Sequence, residues 1–174
     1  KFHDKKLAMK REYAIKQLLY YVPDYSGIEN SNHSMLSNTN GKKVFGMIGM
    51  QEKRKGYDVL TCAILNLPKN ILNDCYFVFV GKTCDPEMST AVSSLLENYP
   101  DNTQYIEELS RMELISFYRQ LDCLICASRD DPMPVVVTEA LMMSKPVICS
   151  ENTGCASILE ETNCGLVYRN NDPF

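Results

Sequence analysis

The sequence predicts an α/β domain: a Rossmann-like, doubly wound parallel sheet of about six strands with helices on both faces. Three observations carry this. Short apolar runs alternate with stretches of helical periodicity from residue 43 onward. That alternation yields parallel strands joined by right-handed crossovers. The apolar runs are continuous, as in Cys75-Tyr-Phe-Val-Phe-Val80, which is what a sheet covered on both faces requires. Apolar residues are 45% of 174, enough for one domain of this length to bury a real core.

Taken in order, residues 4–21 read as a helix, with Leu7, Ala14, Ile15, Leu18 and Leu19 at helical spacing. Residues 22–42 are rich in Pro, Asp, Ser, Asn and Gly and read as a linker. The chain therefore divides into 1–42, a helix and linker leading from a preceding domain, and 43–174, the α/β domain. Val44 to Ile48 is a strand closing on Gly49, followed by a polar loop with Arg54 and Lys55 and a helix over Tyr57 to Leu67. Cys75 to Val80 is a strand closing on Gly81. Asp85-Pro86 opens a helix to Asn98, an acid at the cap and a proline at the first helical position. Gln104 to Ile106 is a brief strand, Arg111 to Gln120 a helix, and Asp122 to Ala127 a strand. Pro146 to Cys149, Gly154 to Glu160 and Gly165 to Tyr168 read as strand, helix and strand.

Composition narrows the function classes. The formal net charge of −4 argues against nucleic acid as the main partner. No apolar run is long enough to span a bilayer, so membrane association is expected only through parts beyond this chain. No signal peptide is visible, and the chain opens at Lys1, so its true N-terminus is expected upstream. Most of the 8 cysteines sit in apolar runs, where a free thiol acts as a small hydrophobe, and a reducing cytoplasm is expected. Cys123 and Cys126 have zinc-like spacing, but strand alternation sends them to opposite faces and no second ligand pair accompanies them. No metal and no cofactor is expected. The dinucleotide fingerprint and the GxxxxGK phosphate loop are both absent. A receiver-type domain would want an acid pair where Gly49-Met50 stands.

In such sheets ligands sit beyond the carboxyl ends of the strands. The candidates at those ends are Gly49 to Lys55, Gly81-Lys82, Ile106-Glu107 and Arg129 to Val136. The richest stretch is Ser128 to Ser150, SRDDPMPVVVTEALMMSKPVICS. Pro132 and Pro134 suit a loop end or the first helical positions. Asp131 can cap the helix start, and the N–H groups of Met133, Val135 and Val136 would point outward toward an anion. Glu139 can accept hydrogen bonds from a ribose diol. The same residues also read as a capped, buried helix with one solvated Glu. Arg54 and Lys55 read equally as a solvated basic loop, and Gly81 as a turn glycine.

The stretch resembles the acid-x7-acid signature of the family 4 (group 1) retaining glycosyltransferases, which have the GT-B fold. Asp131 and Glu139 stand at its two acidic positions. Ala140-Leu-Met, Lys145-Pro-Val-Ile-Cys-Ser150, Gly154 and Asn163-Cys-Gly-Leu-Val167 continue the pattern. The chain departs from it where the usual Glu-Gly-Phe-Gly is Asp131-Pro-Met-Pro and where an Arg is replaced by Met50.

The resemblance implies one half of a GT-B enzyme, the half that binds a nucleoside diphosphate sugar. The acceptor-binding half would precede this chain, and the acceptor would be a saccharide or lipid. It implies catalytic roles for Asp131, beside the transferred sugar, and Glu139, on the ribose. Lys55, with Arg54 as helper, would take the diphosphate. Gly49, Gly81 and Ile106 would line the donor, with the N–H groups of Met133, Val135 and Val136 near phosphate or sugar. The isolated half is expected to be inactive. Two other readings stand beside this one: a nucleotide-sugar epimerase on the same fold, and a degenerate interaction domain.

Overall fold

The computed structural model of the chain describes residues 35–37 and 39–169. The helix expected over residues 4–21, both histidines and most of the expected linker lie outside them. One sheet holds six parallel strands: β1 Lys43–Ile48, β2 Cys75–Val80, β3 Thr103–Ile106, β4 Cys123–Cys126, β5 Val147–Ser150 and β6 Gly165–Tyr168. The helices are α1 Tyr57–Leu65, α2 Lys69–Asn73, α3 Pro86–Asn98, α4 Arg111–Gln120, α5 Val135–Met142 and α6 Ala156–Thr162. The strand order is β3-β2-β1-β4-β5-β6. The chain builds outward from β1 to β3, then returns to lay β4 on the free side of β1. The order reverses there, and doubly wound sheets bind ligands at that point.

The continuous apolar strands are explained by a core on each face. Along β2, Tyr76, Val78 and Val80 belong to one core cluster with Phe117 and Tyr118 of α4, Val137 and Ala140 of α5 and Leu159 of α6. The alternate residues Cys75, Phe77 and Phe79 pack with α1, α2 and α3 through Tyr57, Leu60, Leu72, Met88 and Leu95. Each fully buried large side chain contributes roughly 1.5–3 kcal/mol. The same alternation puts Cys126 in the first cluster and Ile125 in the second, so Cys123 and Cys126 face opposite ways.

Some local expectations shift. The helix expected to reach Leu67 ends at Leu65, and the short helix α2 follows. Leu67 precedes Pro68, which disfavours helical backbone at Leu67 and then serves as the cap of α2. Helix α5 begins at Val135 rather than at the prolines: Pro134 is its extended cap residue, with φ −70° and ψ 105°. Helix α6 runs from Ala156 and is closed by Asn163 in the left-handed region at φ 53°. At α4, Ser110 and Glu113 form a reciprocal capping box.

Candidate functional site

The three strand ends on one side of the reversal are level. In register Ile48 stands beside Val80, and Val80 beside Ile106. Gly49 N–H donates to Val80 O at 2.9 Å, and Gly81 N–H to Ile106 O at 3.0 Å. Gly49, Gly81 and Ile106 therefore form one line across the sheet edge. The Ile106 carbonyl accepts within that line, and its side chain packs on the first core cluster. Gly81 has φ 144°, and a Cβ on it would lie 1.7 Å from Gly49 O. The two strand ends thus approach too closely for any side chain at Gly81. Tyr57, from α1, donates its hydroxyl to Gly49 O at 2.5 Å, and burial raises its pKa.

Across the reversal, the polar loop after β1 meets the loop after β4. A single turn of 3-10 helix, Lys53–Lys55, ends on Gly56 in the left-handed region. Lys55 Nζ lies 2.6 Å from Asp131 Oδ2, with Arg54 Nη1 at 3.8 Å from the same oxygen. Arg54 Nη1 also donates to Asp130 O at 3.2 Å, and its Nε is 3.7 Å from Glu52. Asp131 is only 5% exposed, so this pairing holds a carboxylate that burial would otherwise penalise. Asp131 does not cap α5. Its Oδ1 accepts from the N–H of Met133, two residues before the helix, and α5 has no side-chain cap. The Met133 N–H is thereby engaged, whereas Val135 and Val136 stand in the uncapped first turn.

Glu139 forms a second centre. It is buried at 9% exposure, and the Tyr118 hydroxyl donates to its Oε2 at 2.8 Å. That corrects the reading of a solvated Glu. Tyr118 comes from α4 and is fully buried. Sequence periodicity places it in the core but carries no sign of its partner. Asp58 and Arg129 are two more residues whose pairing the sequence does not signal, joined at 2.7 Å and 2.8 Å. Burial raises the Asp58 carboxyl, but the Arg129 hydrogen bond and charge outweigh it and hold its pKa below the ordinary value.

Among the described residues, no cluster of three or more His, Cys, Asp or Glu is placed to hold a metal ion. No helix among them is long and apolar enough to cross a membrane.

The loops at the sheet's reversal thus bring together a lysine, an arginine and the buried Asp131, with the buried Glu139 further along α5, at the place where doubly wound sheets bind their ligands. The particular family follows from comparison. A family model described as Glycosyl transferases group 1 matches residues 30–173, and the chain belongs to that family. An uncharacterized glycosyltransferase of Methanocaldococcus jannaschii is 29% identical over 153 residues, covering 86% of this chain and 39% of that protein. Among solved structures, WaaG, a glycosyltransferase involved in lipopolysaccharide biosynthesis, superposes with TM-score 0.64 at 18% identity, over 93% of this chain and 38% of its own. Sucrose-phosphate synthase from Thermosynechococcus elongatus superposes with TM-score 0.61 at 24% identity, over 75% and 33%. At these identities the structural likeness is one of fold. The chain spans about two fifths of the length of the archaeal relative.

Proposed function

We propose that this chain is the donor-binding half of a retaining glycosyltransferase, taking a nucleoside diphosphate sugar and working with an acceptor-binding domain of the same polypeptide. The observation that carries the reading is the meeting of Lys55 and Arg54 with Asp131 across the sheet's point of reversal. In this reading the donor diphosphate lies over the 3-10 turn. Lys55 and Arg54 neutralise the charge that grows on the leaving diphosphate, and the uncapped first turn of α5 adds its N–H groups at Val135 and Val136. Glu139, held by Tyr118, accepts from the ribose hydroxyls. Asp131 stands between the phosphate cations and the transferred sugar. Gly81, Gly49 and Ile106 let the backbone approach the nucleoside. No metal is required where basic side chains and a helix start supply the positive charge. The acceptor is a saccharide or lipid, and the site of action is the cytoplasm.

The test is a titration of the full-length protein with UDP, GDP and ADP, followed by amide NMR or calorimetry. One of the three is expected to bind. Lys55→Ala weakens it by about 2 kcal/mol, roughly thirtyfold. Glu139→Ala removes the preference for the ribonucleotide over its 3′-deoxy analogue. Absence of binding by all three at millimolar concentration would sink the donor-binding reading in favour of a non-catalytic interaction domain. Product analysis separates sugar transfer from epimerisation.

A further inference from the structure

Arg129 stands two residues before Asp131 and bonds repeatedly to the segment on the other side of the reversal. Its backbone N–H donates to Arg54 O at 2.9 Å. Its Nη1 donates to Lys53 O at 2.9 Å. The guanidinium fork then grips the Asp58 carboxylate, Nη1 to Oδ1 at 2.7 Å and Nη2 to Oδ2 at 2.8 Å. Asp58 lies in the first turn of α1. In the opposite direction Arg54 donates to Asp130 O. The Arg129 and Asp58 side chains are 18% and 28% exposed, so this two-pronged pair is sheltered in a way a typical surface ion pair is not.

We propose that Arg129 is a positioning residue for donor binding: with Asp58 it staples the Lys53–Lys55 turn to the Arg129–Asp131 loop and so fixes where Lys55 meets the diphosphate. The proposal rests on Lys55 being a diphosphate ligand. Its physical basis is the placement of the bonds. Two end on the backbone carbonyls of the residues just before Lys55, and two end on the helix that begins just after it. A lysine stem is long and flexible, so the Lys55–Asp131 contact by itself does not fix the position of the turn that carries it. Fixing the backbone on both sides reduces what must be ordered when the anion arrives. Only a planar fork reaches a carboxylate in two prongs and a carbonyl at once, which singles out arginine here.

The experiment measures binding of the preferred nucleoside diphosphate, its parent nucleoside and inorganic pyrophosphate to the full-length protein. Wild type, Arg129→Met, Asp58→Asn, their double variant, Arg129→Lys and Lys55→Ala are compared, each with a thermal melt. Arg129→Met is expected to weaken the diphosphate and pyrophosphate about tenfold while the nucleoside binds as before. Asp58→Asn acts in the same direction, and the double variant is no weaker than Arg129→Met, since both remove one staple. Arg129→Lys keeps the charge without the fork and carries the test where the methionine variant does not fold. Equal weakening of nucleoside and diphosphate indicates general loosening and overturns the proposal. Unchanged diphosphate binding in both Arg129 variants, with loss in Lys55→Ala, overturns the positioning role alone. If Lys55→Ala also binds normally, the reading of Lys55 fails and the staple's role fails with it.

Discussion

Glu139 is the residue whose surroundings most change its meaning. An acid in a helix of Val, Ala, Leu and Met reads from sequence as either a solvated face or a ligand. The fold buries it and gives it the Tyr118 hydroxyl at 2.8 Å. Tyr118→Phe deletes that donor and leaves a buried carboxylate with one bond fewer. The expected cost is about 1.5–3 kcal/mol in urea unfolding, the range for hydrogen bonds to charged groups. A double-mutant cycle with Glu139→Gln assigns that cost to the pair: a sum of single effects equal to the double effect would show that the two residues do not couple. Glu139 was legible because an acid is conspicuous among apolar neighbours. Tyr118 was legible only as core, since its partner is 21 residues away in sequence.

Among the elements, the turn between β1 and α1 is the most tightly constrained. Gly56 has φ 75°, and a Cβ there would lie 2.0 Å from Ala127 O, at the end of β4. Gly56 is thus explained by packing: its backbone, at the start of α1, presses against the residue that follows β4. Gly56→Ala is expected to destabilise by at least about 2 kcal/mol, combining left-handed strain with the backbone clash. Gly41 is the control, with a similar φ of 77° and nothing within 4 Å of an added Cβ. Gly41→Ala should therefore cost strain alone, about 1 kcal/mol. Equal losses for the two in denaturant melts would show that the approach to Ala127 contributes nothing.

At the scale of the whole molecule, a sheet covered on both faces sorts the thiols. Cys75, Cys123, Cys126, Cys149 and Cys155 are buried, while Cys62, Cys84 and Cys164 are exposed. Burial pushes Cys123 and Cys149 up to about 11 and Cys155 up to about 12. At neutral pH the buried thiols are therefore protonated as well as shielded, and the thiolate is the reactive form. Of this chain's 8 cysteines, only Cys62, Cys84 and Cys164 should react rapidly with a thiol reagent in the native state, with all reacting in denaturant. Rapid native labelling at Cys126 or Cys149 would contradict the packing of β4 against β5.

The sequence by itself determined the class of fold, because continuous apolar runs separated by helical periodicity admit little besides a covered parallel sheet. It also placed β1, β2, β3 and β4 to within a residue or so, and it located the strand-end loops. It marked Lys55, Asp131 and Glu139 by residue type and by the motif that two of them share. Side-chain chemistry and periodicity are local properties, so a chain read in order can carry them. The strand order, the reversal between β1 and β4 and the pairings Lys55–Asp131, Arg129–Asp58 and Tyr118–Glu139 were decided only by tertiary structure. The reason is one of distance along the chain. Lys55 and Asp131 are 76 residues apart, and Arg129 and Asp58 are 71 apart. Contacts that long leave no periodic trace, and they exist only once the sheet has brought two loops to one edge.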